Sequence, residues 1–146
     1  MGIVGYPDSF FRGIASPKFI LNNHILSDAF QFDEADREDN LKELSINWND
    51  CEEALELALN QRKSNGNLQF VGGVVKLDLA MVKIVFHPYI EEGTFSYERR
   101  IIDGNPYHGN LLISGTLNKQ QRSAISGTLG LLAESNPIYQ RENSEE

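Results

Sequence analysis

Two of the three histidines in the chain, His87 and His108, lie in turns marked by proline, in the sequences FHPY and NPYH. An imidazole ordinarily titrates near pH 6.5, so one ring can accept a proton while another donates one at neutral pH. A pair of histidines is therefore a candidate for metal-independent acid–base chemistry on a phosphodiester or a nucleotide. The alternative is that the prolines shape a loop and the two rings hydrogen-bond to backbone carbonyls.

Side chains that suit a phosphorylated substrate lie near the two histidines. Arg99 or Arg100 can hold a phosphate through paired donors, and Tyr97 or Tyr107 can stack on a base. A second alternative is a metal site, in which the two histidines are joined by one carboxylate from Glu91, Glu92 or Asp103. Their spacing matches no dedicated metal motif, so the sequence predicts no metal and no cofactor.

The excursion between residues 89 and 107 is longer than a tight turn needs. Phe95 and Tyr97 alternate with polar residues, which is typical of a hairpin. Aromatic residues and arginines such as Arg99 and Arg100 are enriched at the centres of interfaces, so an exposed hairpin here would dock a protein. The alternative is that these aromatic side chains cover the core of their own domain.

The elements that must position these residues follow from hydrophobic periodicity. Residues 18–32 indicate one bent strand or two short ones, and LSINW at 44–48 is strand-like. A helix follows, with Cys51 expected on its buried apolar face. Val75, Leu77 and Leu79 indicate a half-buried strand, and KIVFH a second strand that ends at Pro88. Residues 110–113 predict another strand, and residues 118–134 a helix.

These elements predict an α+β fold with a small, mostly antiparallel sheet of about four to five strands and two helices. A single domain is expected over residues 18–134, with an irregular N-terminal arm over 1–17 and a flexible tail over 135–146. If the strand ending at His87 pairs with the strand beginning near His108, the two imidazoles meet at one end of the sheet.

The chain has 146 residues and a formal net charge of −8, and the negative charge is concentrated in one segment. Residues 28–56 contain Arg37 and Lys42 as their only bases, against eleven acids: Asp28, Asp33, Glu34, Asp36, Glu38, Asp39, Glu43, Asp50, Glu52, Glu53 and Glu56. Such a segment repels phosphate backbones, which disfavours nucleic-acid binding, and it can attract a basic partner. The alternative is a solvated helix face and loop.

Several classes of protein lack support in the sequence. The single cysteine, Cys51, excludes a disulfide within the chain and a cysteine-rich zinc site. There is no dinucleotide-binding, P-loop, zinc-protease, nucleophile-elbow or EF-hand motif. The first residues lack the charge and hydropathy of a signal peptide, and no run of about 18 apolar residues suggests a membrane span. We therefore expect a cytoplasmic protein without membrane association.

The order of four motifs resembles a loosely defined group of small bacterial proteins. The motifs are LSINW at 44–48, the strand ending at His87-Pro88, NPYHGNLLI, and a final helix ending in LLAES. The group's pattern is Leu-Ser-x-Asn-Trp, His-x-Pro, then Pro-x-His before an aliphatic strand, and the likeness covers residues 28–134. This chain departs from it by having His-Pro and a longer insert between the histidines. The resemblance implies Asn47, Trp48, His87 and His108 as positions of interest.

The resemblance carries no established activity, and by analogy it implies an accessory or conflict-system role. The leading prediction is a bacterial accessory domain that binds another protein through the 89–107 excursion and the acidic 28–56 segment. The alternatives are a small two-histidine phosphodiester or nucleotide enzyme and a structural subunit of a homo-oligomer.

Overall fold

The main sheet is antiparallel at every pairing. The computed structural model describes residues 6–22, 24–34, 40–102 and 104–140. The strands are β1 (Ser9–Ile14), β2 (Ile20–Leu21), β3 (His24–Ile25), β4 (Asp33–Glu34), β5 (Leu41–Trp48), β6 (Gly73–Asp78), β7 (Phe95–Arg99) and β8 (His108–Ser114). The main sheet has the order β6-β1-β5-β8-β7, with β4 also paired to β5, and β2 and β3 form a separate two-stranded sheet.

Four α-helices complete the α+β fold, which confirms the predicted fold class. They are α1 (Glu52–Asn60), α2 (Leu79–Val85), α3 (His87–Glu91) and α4 (Lys119–Ala133). The α4 helix begins with a capping box, in which the Asn118 side chain accepts from the Gln121 amide and the Gln121 side chain accepts from the Asn118 amide. None of the described helices is long and apolar enough to cross a membrane.

The two faces of the sheet carry different chemistry because side chains alternate along each strand. The first face contributes Trp48, Leu111 and other large apolar residues to the main core, which α2 and α4 cover. On the second face, Phe11 and Val74 pack against Ala54 and Ala58 of α1. Beyond α1, the second face carries polar residues of β5 and β8: Ser45, Asn47, His108 and Asn110.

Strand β8 depends on a glycine at its second position. The indole of Trp48 lies against Gly109 and donates a hydrogen bond from Nε1 to the Glu98 carbonyl, at 3.0 Å. A Cβ at position 109 would clash with both that indole nitrogen and that carbonyl. Because Gly109 has no side chain, the buried Trp48 indole can extend from β5 across β8 and reach β7.

Three sequence expectations were wrong. Ser9–Ile14 forms β1 inside the sheet, where an irregular arm was expected. The KIVFH segment belongs to α2 and α3 rather than to a strand, because Leu79, Val82 and Phe86 recur at a helical spacing and are buried together. Cys51 is the exposed N-cap of α1 rather than a buried residue on its apolar face.

Other expectations were confirmed: strands at 44–48, 75–78 and 110–113, the α1 and α4 helices, and two short strands within 18–32. In the expected tail, Tyr139 exchanges two backbone hydrogen bonds with Val74 at the outer edge of β6. Residues 141–146, and residues 35–39 in the acidic segment, lie outside the described residues.

Candidate functional site

His87 and His108 lie at different ends and on different faces of the sheet. Phe86, the neighbour of His87, stacks on Phe95 of the main core with ring centroids 4.6 Å apart. Phe95 pairs with Ile113, whereas His108 begins β8, about 17 Å away at roughly 3.3 Å per residue. The exposed His87 ring instead has its Nε2 3.3 Å from Oε1 of Glu91 in α3. The two histidines therefore do not form the acid–base pair that the sequence suggests.

The His108 ring is held in one orientation by the neighbouring strand. Its Nδ1 lies 2.8 Å from the Arg100 carbonyl, which can only accept, so Nδ1 carries the hydrogen. In the neutral ring this leaves Nε2 as the hydrogen-bond acceptor. Only 9% of His108 is exposed, and its cross-strand neighbour on the same face is Asn47.

Asn47 is held by a second amide. Nδ2 of Asn105 donates to Oδ1 of Asn47 at 2.9 Å, and Oδ1 of Asn105 accepts from the Tyr107 backbone amide at 3.0 Å. Asn47 and Asn105 are both buried. The Asn-Pro-Tyr-His turn thus positions Asn47 and His108 together at one end of β5 and β8.

Asn47 and His108 line a cavity of about 380 Å³ on the second face, between β1, β5 and the segment from 61 to 70. Its polar lining comprises Arg12, Asp33, Ser45, Asn47, Gln61, Lys63, Gln69 and His108. The volume lies within the range of small-molecule sites, roughly 300–1,000 Å³. The cavity offers donors, acceptors and one oriented imidazole.

Arg12 forms the floor of this cavity, where β1 and β5 diverge. The two strands pair at Phe10–Trp48 and Phe11–Asn47 and then separate. The guanidinium spans the gap, with Nε donating to the Ala29 carbonyl at 3.0 Å and Nη1 to the Ser45 carbonyl at 2.9 Å. Burial lowers the pKa of Arg12 to about 10, and Asp33 partly offsets that effect.

Sequence reasoning missed Arg12 as a site residue. The available signal was its position: a single charged residue inside the strand SFFRGI, next to Gly13. A charged residue in an otherwise buried strand needs hydrogen-bond partners, and such a residue often marks a special site.

The aromatic residues of the excursion pack on their own domain. Phe95 is buried in the main core, and Tyr97 packs against it, with ring centroids 5.9 Å from Trp48 and 5.0 Å from Tyr6. Burial also raises the pKa of Tyr97. Residues 95–99 thus form β7, an edge strand of the sheet. This supports the alternative prediction, in which the aromatic side chains of the excursion cover the core of their own domain.

The two arginines of the excursion contact carboxylates of the acidic segment. Arg99 forms a two-pronged ion pair with Asp50, with Nη1 2.9 Å from Oδ2. Nη1 of Arg100 lies 3.8 Å from carboxylate oxygens of Glu43 and Glu98. The structure thus brings together the two surfaces that the sequence predicts separately.

The loop after β7 exposes two large apolar residues of the excursion. Ile101 is 72% exposed and Ile102 41% exposed. This loop reaches α1 through Tyr107, whose hydroxyl oxygen lies within hydrogen-bond distance, 3.2 Å, of the Cys51 sulfur. That hydrogen bond, with some burial and the nearby charges of Glu53 and Asp50, raises the pKa of Tyr107 to about 12. The α1 helix turns three exposed glutamates outward beside the loop: Glu52, Glu53 and Glu56.

Among the residues that the structure describes, no group of three histidine, cysteine or carboxylate side chains is arranged to hold a metal ion. Asp103, one member of the metal set considered from sequence, lies outside them. No family model, curated protein or solved structure matches the chain.

Proposed function

We propose that the protein binds another protein through one composite surface, which we call the recognition surface: Ile101, Ile102, Glu52, Glu53 and Glu56. The observation that carries this proposal is the exposure of two adjacent isoleucines on a loop that is hydrogen-bonded to the start of α1. Burying an isoleucine side chain that is otherwise exposed contributes about 1.5–3 kcal/mol. The partner accordingly has an apolar recess that accepts this pair.

Backbone hydrogen bonds hold the described residues of the loop that presents the isoleucines. Ile102 and Asn105 exchange two hydrogen bonds, at 3.3 and 2.9 Å, and the Arg100 amide donates to the His108 carbonyl at 2.9 Å. A loop that is already ordered loses less conformational entropy on binding. These contacts favour a recognition element over a loop whose apolar residues are exposed by chance.

The negative charge beside the loop indicates the charge that the partner carries. Glu52, Glu53 and Glu56 are exposed, and none forms an ion pair with another residue that the structure describes. Together with the net charge of −8, they attract a basic surface and raise the rate of encounter with it. The partner therefore carries lysine or arginine residues around the apolar recess.

The test compares two variants that each introduce charge at exposed apolar positions. Ile101→Asp with Ile102→Asp changes the recognition surface, and Leu131→Asp changes a residue of α4 that is about as exposed as Ile101. Proteins captured from a bacterial lysate by the wild type are identified, purified and titrated against all three chains. We expect a basic protein that binds the wild type and L131D alike and binds the isoleucine variant at least tenfold more weakly.

A partner that binds the isoleucine variant and the wild type with equal affinity would contradict the proposal. So would the absence of any protein that the wild type retains and the isoleucine variant does not. An affinity that is independent of salt would argue against the basic partner in particular, since attraction between exposed charges is screened by salt.

A small-molecule enzyme is the second candidate function, and the orientation of His108 favours it. With Nδ1 donating to Arg100, Nε2 is the proton acceptor of a ring that lines the 380 Å³ cavity beside Asn47. A single oriented imidazole can act as a general base on a phosphodiester. Hydrolysis of bis(p-nitrophenyl) phosphate that is lost in His108→Gln and retained in His87→Gln would support this function. Equal rates in the two variants would contradict it.

A further inference from the structure

A second cavity, at the start of α4, is lined by basic residues although the chain is acidic overall. It has a volume of about 480 Å³ and lies between α4, β5 and the 3-10 turn at Ser27–Phe30. Lys42, Lys119 and Arg122 line it, and Asp28 is the only carboxylate among its described lining residues. The described lining residues therefore carry a net positive charge, in a chain with a formal net charge of −8.

Two of these cations come from the first turns of α4 and point to the same side. Lys119 and Arg122 are three residues apart, so their side chains are neighbours on the helix surface. Neither forms an ion pair with a residue that the structure describes. Asp28 instead accepts a long hydrogen bond, 3.4 Å, from the Gln31 side chain. The positive charge of Lys119 and Arg122 is thus not neutralised by the cavity's own carboxylate.

The inner wall of the cavity supplies hydroxyl groups and an apolar surface. Ser126 is buried, and its hydroxyl donates to the Phe30 carbonyl at 2.6 Å, which fixes that oxygen as an acceptor towards any ligand. The Ser123 hydroxyl, one helical turn earlier, is exposed at the mouth. Phe32 lines the opposite side and is partly buried against the main core.

We propose that this cavity binds a small phosphomonoester. A guanidinium holds two phosphate oxygens through paired donors, and a lysine adds a point charge, so Arg122 and Lys119 match a dianion. The Ser123 hydroxyl donates to a third oxygen, and Phe32 contacts the organic part of the ligand. The cavity volume fits a mononucleotide-sized ligand. The acidic remainder of the chain disfavours a nucleic-acid polymer, whose many phosphates would be repelled.

The test is a titration of the isotope-labelled protein followed by amide chemical shifts. The probes are adenosine 5′-monophosphate, inorganic phosphate and adenosine. We expect the nucleotide and inorganic phosphate to shift the amides of residues 119–126, with the nucleotide binding more tightly because it also contacts Phe32. Adenosine, which lacks the phosphate, should produce no shifts there at the same concentrations.

Three variants test whether the nucleotide binds at this cavity or is attracted to positive charge in general. Arg122→Ala should weaken nucleotide binding by about tenfold, as expected for loss of charge-assisted hydrogen bonds, and Arg122→Gln provides a second, polar replacement. Lys83→Ala removes a partly exposed charge from α2, outside the cavity, and should leave binding unchanged. Equal weakening by K83A and R122A, shifts spread over the surface, or adenosine binding as well as the nucleotide would each overturn the proposal. This outcome is independent of the recognition surface, which lies at α1 and the 101–107 loop.

Discussion

Arg99 of β7 forms a two-pronged ion pair with Asp50, the residue just before the N-cap of α1. The guanidinium also lies over the Tyr6 ring, 5.7 Å from its centroid. The ion pair joins the excursion to the acidic segment at the end of the sheet where β5 and β7 finish, which is also where Tyr107 contacts Cys51. A partner that contacts one of these two surfaces therefore meets the other beside it.

Weakening that ion pair should increase the mobility of the recognition surface while changing the unfolding free energy only slightly. Asp50→Asn and Arg99→Lys each remove the paired geometry, and because both side chains are partly exposed, we expect a loss of at most about 1 kcal/mol in unfolding free energy. Hydrogen exchange of the 101–107 amides should accelerate in both variants. Unchanged exchange in this loop would show that the ion pair does not hold it in place.

Trp48 and Gly109 provide a sharper test of the fold. Gly109→Ala should cost about 1–3 kcal/mol, because the added methyl displaces the indole from an already packed core. Gly127→Ala is the matched control: it lies in α4 with nothing within 4 Å of the new Cβ, and should stabilise by up to about 1 kcal/mol. The chain contains one tryptophan, so its fluorescence during urea unfolding reports both values. Similar effects for the two variants would contradict the Trp48–Gly109 contact.

Arg12, which lines the 380 Å³ cavity, should also contribute to the stability of the fold. Arg12→Met keeps much of the aliphatic packing but removes the donor to the Ser45 and Ala29 carbonyls. We expect a loss of about 1–3 kcal/mol in unfolding free energy, mainly from the part-buried Ala29 carbonyl, because the Ser45 carbonyl is exposed to water. Arg62→Met is the control, since Arg62 also donates to a carbonyl, that of Gly66, in an exposed loop. We expect a change within about 0.5 kcal/mol for R62M. Equal losses measured by urea unfolding would disprove the bridging role of Arg12.

Tyr107 should titrate well above an ordinary tyrosine. Its pKa is raised to about 12, with the hydrogen bond to Cys51 as the main cause. Because the folded state holds this proton more tightly, the stability it contributes is complete below about pH 10, the usual tyrosine value, and is lost as the pH rises towards 12. Absorbance at 295 nm should follow this titration, and Cys51→Ala should move it towards the ordinary value. A midpoint that does not change in C51A would rule out the Cys51–Tyr107 contact.

The sequence predicted the regular elements better than the site. The apolar face of α4 and the alternation in β6 are local signals, and both elements were confirmed. The KIVFH segment, residues 83–87, was misread because its apolar residues fit a strand as well as a helix over so short a length. Only packing distinguishes the two, since Val82 and Phe86 fall on the same buried side of the helical segment.

The candidate site depends on long-range contacts that no local pattern contains. The separation of His87 from His108 follows from the course of α2 across the first face of the sheet. The pairing of Arg99 with Asp50 joins residues far apart in the chain, and Arg12 acquires its role only where β1 and β5 diverge. The types of these residues indicated which side chains could do chemistry. Their contacts in the fold could not be inferred from their spacing along the sequence.

The most direct test of the account is the hydrogen-exchange footprint of the purified partner on the wild-type chain. The recognition surface predicts slower exchange in the complex at residues 101–107 and, in the same experiment, at residues 51–56. It predicts no change along α2, where Met81, Ile84 and Val85 form a separate exposed apolar stripe. Protection of both recognition segments would support the composite surface. Protection confined to the α2 stripe, with unchanged exchange at 101–107, would contradict it.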